Sequence, residues 1–167
     1  ASKSNTEDYI SSLQVSLNGE ARYGETLRAT VNEGIDPGQI LYQWTDEKGT
    51  NLGAGNTYDL KGEDIGKQIT VTVTYMSNSA LTASASTPTR VGKRQLTVSV
   101  NNVQKEYDGS TDAQATVVLE GRINNDDVTG TAEVKFADKN AGTNKPLKIS
   151  NVKIEGTAKD YYVAPSG

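Results

Sequence analysis

Neither cysteine nor histidine occurs anywhere in the 167 residues. Without cysteine there is no disulfide and no thiolate to act as nucleophile or metal ligand. That absence assigns no compartment, because proteins outside the cell also manage without cysteine. Without histidine the chain lacks the commonest general base near neutral pH and the commonest transition-metal ligand. A Ser-His-Asp or Cys-His site therefore cannot be assembled. Aromatics make up only 6% and hydrophobics 34%, too little for one large core. Two thin cores fit better, and the length suits two small β-sandwiches. No apolar run approaches the length needed to span a bilayer. The first residues carry no export signal, so an exported protein would hold this chain as a mature portion of something longer. A basic surplus is missing as well. The 17 basic and 21 acidic residues give −4, with 7 against 11 in residues 1–92 and 10 against 10 in the remainder. Nucleic acid is thereby excluded as the expected partner.

The clearest positive signal is Gln68 to Met76. Ile69, Val71, Val73 and Tyr75 alternate with Thr70, Thr72 and Thr74, which is the period of a strand with one buried and one wet face. Similar alternation predicts strands at Leu13–Leu17, Thr26–Val31, Ile40–Trp44, Thr57–Leu60 and Leu81–Thr87. Asp36-Pro37-Gly38 reads as a turn, because Pro presets φ and Gly accepts a positive one. Asp46–Gly55 reads as a loop, and Gly62–Gly66 as a corner leading into the Ile69 strand. Further on, Leu96–Val100, Ala115–Leu119, Ala132–Phe136 and Leu147–Ile154 alternate, the last with a phase break at Ser150-Asn151 that suggests a bulge. Asn124–Gly130 and Asp138–Gly142 read as polar loops, and Tyr161–Val163 as the start of a final strand. No stretch shows helical periodicity.

These patterns predict an all-β protein of two tandem immunoglobulin-like β-sandwich domains joined by a short linker. The expected divisions are a disordered N-terminal segment at 1–9, a first sandwich at 10–92 and a second at 93–167. The join Thr89–Arg94 has no Gly/Ser tract, so a semi-rigid connection is expected. The first core should centre on Leu27, Tyr42, Trp44, Ile69, Val71 and Val73. The second should centre on Leu96, Val98, Val117, Leu119, Val134, Phe136 and Ile149.

Two family resemblances follow from the motifs. Gly24-x-x-Leu27, Tyr42-x-Trp44, Tyr58-x-Leu60 and Asp64-x-Gly66-x-x-Ile69-x-Val71-x-Val73 resemble the immunoglobulin-like repeats of bacterial cell-surface proteins over residues 13–90. The disulfide of animal immunoglobulin domains is missing, and Gln68 stands where a corner tyrosine would be expected. Lys105–Thr111, Asn125–Val128, Phe136–Thr143 and Asp160–Val163 are similar to the YDG-type repeat domain of bacterial surface adhesins and filamentous haemagglutinin-like proteins, over residues 95–167. Together the resemblances imply a secreted or cell-surface, non-enzymatic repeat region serving as spacer or stalk in adhesion. The alternative is a module that itself contacts host or cell-wall glycans or proteins. They imply no cofactor, no nucleic acid, no membrane insertion in this chain, and a monomer.

Four sharper chemistries compete with turn and core roles. Asp126 and Asp127, with Asp108, Asp112 or Asp138, offer hard oxygen ligands for calcium, but no D-x-D-x-D-G loop is present. Asp46-Glu47 and Glu63-Asp64 are paired carboxylates, yet as sequence neighbours they do not face each other across a cleft. Tyr42, Tyr58, Tyr75 and Tyr107 lie in phase with core positions, whereas Tyr9, Tyr23, Tyr161 and Tyr162 are candidates for stacking on sugars. A lysine isopeptide staple is disfavoured, because the lysines sit in turns or on polar faces. The sequence therefore assigns no catalytic or metal site, and it leaves the ligand-binding residues open.

Overall fold

The computed structural model describes residues 11–105, 114–136, 142–143 and 147–166, with side chains described except at 100–105, 114–116, 136, 142–143 and 147. The expectations placed on Ala1–Tyr9, Tyr107, Asp108, Asp112 and Asp138 lie outside the described residues, and so does the Phe136 side chain. The protein is all-β, with several antiparallel sheets and only three short 3-10 turns among the described residues. It divides into two compact units, residues 1–92 and 93–167.

The first unit holds β1 (Val15–Asn18), β2 (Thr26–Val31), β3 (Ile40–Thr45), β4 (Asn51–Ala54), β5 (Thr57–Asp59), β6 (Thr70–Tyr75) and β7 (Asn78–Ser86). One sheet has the order β1-β2-β5 and the other β4-β3-β6-β7. All their pairings are antiparallel. The alternation of β6 does what its sequence dictates: Ile69, Val71, Val73 and Tyr75 are buried, and the intervening threonines are half-covered. Leu27 and Ala29 of β2 and Tyr58 of β5 join Trp44, Val71 and Val73 in one buried cluster. The Trp44 and Tyr58 rings stack with centroids 5.7 Å apart, which ties the two sheets through their largest side chains. Trp44 is wholly buried, and its indole N–H donates to the Gly55 carbonyl at 2.8 Å.

Three expectations for this unit need correction. Tyr42 is half-buried rather than central. The segment read as a loop from Asp46 to Gly55 contains β4. Asn-Leu-Gly-Ala carries no β-branched signal, but the Asp46 turn folds it back so that Gly53 lies opposite Trp44. The last strand starts at Asn78, three residues earlier than its apolar alternation, because a two-residue turn at Met76-Ser77 brings Asn78 opposite Tyr75.

The second unit holds β8 (Arg94–Gln95), β9 (Thr97–Lys105), β10 (Gln114–Glu120), β11 (Thr129–Phe136), β12 (Gly142–Thr143), β13 (Leu147–Glu155) and β14 (Tyr162–Val163). They form antiparallel sheets β10-β9-β12 and β11-β13, and a parallel pair β14-β8. The phase break at Ser150-Asn151 is a bulge: register slips between Thr131 and Glu133 on β11, and Asn151 takes φ +51°.

The interior of this unit departs from expectation. Leu96 is wholly buried, whereas Val98, Val117, Leu119, Val134 and Ile149 are half-buried. The other fully buried hydrophobics described are Val128, Ala158 and Tyr162. Val128 sits inside the stretch that reads as a polar loop. That loop folds inward because the Asp127 carbonyl accepts the Ala158 N–H at 3.0 Å and the Asp127 carboxylate accepts the Thr157 N–H at 3.0 Å. Gly156, with φ +120°, permits this approach; a Cβ there would come 2.2 Å from the Asp127 carbonyl oxygen.

Candidate functional site

Three polar constellations contain every sequence-predicted carboxylate candidate that the structure describes, and a groove adds a fourth site. The first surrounds Asp64, in the short 3-10 turn that follows β5. Asp64 is wholly buried, and its Oδ2 accepts the Tyr58 hydroxyl at 2.7 Å and the Lys61 backbone N–H at 2.9 Å. Its Oδ1 is buried without a partner. The Lys61 ammonium donates to the Tyr58 hydroxyl at 3.0 Å and stands 4.3 Å above the centre of its ring. Burial, then the hydrogen bond to Asp64 and the nearby carboxylates, push the Tyr58 phenol well above its ordinary value of 10.0. Glu63, the sequence partner of Asp64, is exposed. These two carboxylates do not converge.

The second surrounds Asp46 and Glu47, in the β3–β4 turn. Asp46 Oδ1 accepts the backbone N–H groups of Lys48 and Thr50 at 2.9 and 3.0 Å, and Oδ2 lies 3.6 Å from the Lys67 ammonium. Burial would raise its pKa, but those N–H bonds and the Lys67 charge outweigh it and hold the carboxyl below 3.8. Glu47 accepts the Gln68 N–H at 3.0 Å and pairs with Arg90 at 3.7 Å. Its own backbone N–H and that of Gln68 are the chief causes of its lowered pKa. Gln68, which replaces the expected corner tyrosine, donates its side-chain amide to the Thr87 carbonyl at 3.0 Å. Both carboxylates fasten the hairpin to the Lys67-Gln68 segment that leads into β6, and no cleft separates them.

The third surrounds Asp126 and Asp127. Asp126 accepts the Tyr162 hydroxyl at 2.5 Å, and that hydroxyl accepts the Ile123 N–H at 3.1 Å. Asp127 accepts both the N–H and the hydroxyl of Thr157 at 3.0 and 3.2 Å. Neighbours in sequence, the two carboxylates serve separate partners. No group of three or more acidic, histidine or cysteine side chains is placed to hold a metal among the described residues.

The fourth is an open groove of about 460 Å³ over the β11–β13 bulge, lined by Thr131, Ala132, Glu133, Asn151 and Lys153. The left-handed Asn151 turns its amide to the Glu133 carboxylate at 3.0 Å. The phase break in the sequence marks this place, but nothing in the sequence shows that Glu133 and Asn151 meet. The groove has no aromatic wall. Among the described tyrosines, Tyr23, Tyr58, Tyr75 and Tyr162 are buried and Tyr42 and Tyr161 half-buried, so none offers an exposed stacking platform for sugar.

Geometry therefore defines an all-β scaffold in which Asp46, Glu47, Asp64, Asp126 and Asp127 anchor turns. Comparison with known proteins adds one family. Residues 92–167 match the model of the YDG domain, and the match begins within a residue of the division between the two units. No curated protein and no solved structure matches the chain.

Proposed function

We propose that the chain is a non-enzymatic repeat region of a bacterial cell-surface or secreted protein, acting as a spacer or stalk in adhesion. In this reading both units are immunoglobulin-like sandwiches placed in tandem. The three-plus-four strand division of the first unit supports that assignment for residues 10–92, and the YDG match supports a surface-repeat reading for residues 93–167.

One observation carries the mechanical role. In the second unit the segment where the chain leaves lies parallel to the segment where it enters. There β14 pairs in parallel with β8, and the Leu96 N–H donates to the Val163 carbonyl at 3.0 Å. In the first, the exit is pinned instead to the β1–β2 connection: Gly92 forms a parallel bridge with Arg22, Tyr23 donates to the Gly92 carbonyl and Gly92 to that of Ala21, both at 2.9 Å. Val91 is held on its other side by Gly66 and Lys67, at 2.8 and 2.9 Å. Tension on the two ends of a parallel pair loads its hydrogen bonds in shear, all together, instead of peeling them one at a time. Such a joint suits a load-bearing element.

Single-molecule extension of the chain tests this. Two discrete unfolding events, one per unit, are expected; smooth lengthening without force peaks would refute the stalk. Antibody labelling of intact source cells tests the surface location. The second reading, direct contact with glycans or proteins, draws on the hydroxyl-rich outer face of the β4-β3-β6-β7 sheet.

A further inference from the structure

We propose that the outer face of the β4-β3-β6-β7 sheet binds a neutral polysaccharide. This inference rests on the second reading above and is independent of the stalk. Antiparallel register places Leu41, Thr74 and Thr82 in one row. Gln43, Thr72 and Ser84 form the next, extended by Ala54, and Thr45, Thr70 and Ser86 form the third. Strand geometry spaces the rows about 6.8 Å apart and the members of a row about 4.8 Å apart. None of these ten positions is charged, in a chain where 23% of residues are. Seven carry a hydroxyl.

The chemistry of this face selects its partner. An anionic polymer or lipid surface would find no cation on it. A large apolar partner would strip water from the hydroxyls without replacing their hydrogen bonds. A neutral polysaccharide offers matching donors and acceptors. The face can reciprocate, because each hydroxyl has one donor and two acceptor positions. Thr70 and Ser86 share a bond at 2.6 Å, and Thr82 donates to the Val73 carbonyl at 2.9 Å, which leaves acceptor capacity on each.

Apolar contact is available as well. Leu41 is 57% and Met76 55% exposed. The Met76 N–H donates to the Gln39 carbonyl at 2.8 Å and so continues the alternation of Thr70, Thr72 and Thr74. Leu41 and Met76 thus flank the hydroxyl rows at one end, where the C–H face of a sugar ring can rest. The residues are spread over a sheet rather than gathered round a pocket, so a single sugar would gain few contacts. A polymer repeats them, and linked weak contacts add up to retention.

The test is co-sedimentation of the whole chain with three insoluble neutral polymers: microcrystalline cellulose, chitin and a β-1,3-glucan. Retention by at least one is expected, with no loss in high salt. Thr72→Lys, and separately the exposed Ser84→Lys, should lower retention roughly tenfold or more, whereas Thr72→Ser should keep it. Thermal melts confirm that the variants fold. Absence of retention on all three polymers overturns the proposal, as does salt-sensitive retention or retention unchanged in both lysine variants. Concentration-dependent self-association lost in Ser84→Lys, without polymer retention, would assign the face to a second copy of the chain instead. These outcomes leave the extension experiment unaffected, so the two readings fail separately.

Discussion

In residues 1–92 a tryptophan–tyrosine stack sits at the centre of a buried cluster drawn from both sheets. In residues 93–167 the fully buried hydrophobics described are Leu96, Val128, Ala158 and Tyr162, with Val98, Val117, Val134, Ile149, Val152 and Ile154 only half-covered. The two units nevertheless share a device. A tyrosine hydroxyl donates to an aspartate in a turn: Tyr58 to Asp64 in the first, Tyr162 to Asp126 in the second. In the first unit the ring of that tyrosine also packs against tryptophan. In both units that hydroxyl also accepts from a donor, the Lys61 ammonium in the first and the Ile123 N–H in the second. The comparison teaches that one polar tie, a tyrosine hydroxyl shared between a turn aspartate and a donor, serves both units.

The largest effect should come from Trp44→Ala, which empties the centre of the first cluster. A loss of about 3–5 kcal/mol is expected, confined to residues 1–92. Hydrogen exchange read by mass spectrometry separates the units; equal loss of protection in residues 93–167 would show that they are not energetically independent. Next come Tyr58→Phe and Tyr162→Phe. Each leaves a carboxylate short of a partner, at a cost of roughly 1.5–3 kcal/mol. The first should be the more damaging, because Asp64 is wholly buried and Asp126 only partly. Reversal of that order in denaturant titrations would mean that the polar tie matters more than burial.

Gly19→Ala and Gly156→Ala probe one matching position in each unit. An added Cβ would come 2.5 Å from the Thr26 carbonyl oxygen at Gly19 and 2.2 Å from that of Asp127 at Gly156, each at strongly positive φ. Losses of about 1–3 kcal/mol are expected, each in its own unit; melting curves matching the parent would show that the backbone relaxes. The smallest effects are those of pH, and they concern the first unit. Asp46 and Glu47 have lowered folded pKa values, so their contribution is present above their ordinary values of 3.8 and 4.5 and fades as pH falls through the folded ones. The phenols of Tyr58 and Tyr42 are raised by burial, so their contribution is full below pH 10.0 and declines as pH rises beyond it. Melts of Asp46→Asn against the parent across the acid range check the first statement. An acid dependence identical in both would remove Asp46 from the account.

Much of the first unit was legible because its strands write their period plainly. Val71 and Val73 alternating with threonine, and Leu27 with Ala29, leave one face that must be buried. The exceptions are positional. β4 is held by a turn rather than by its own composition. Val128 is buried through backbone bonds made about thirty residues away, at Thr157 and Ala158, and no local pattern can announce that. The parallel β8–β14 pair uses two residues from each end of its unit, too few for any periodicity. The candidate surfaces divide in the same way. The threonines of β6 can be read directly, but their alignment with Leu41, Gln43 and Thr45 on one side and Thr82, Ser84 and Ser86 on the other depends on register.

The β8–β14 pair also sets an order of events during synthesis. Arg94 and Gln95 emerge near the start of the second unit, but their partners Tyr162 and Val163 arrive only near its end. The ladder cannot close before Tyr162 and Val163 have left the ribosome, so a partly made unit stays unlatched. Emergence of those two residues is what allows it to form.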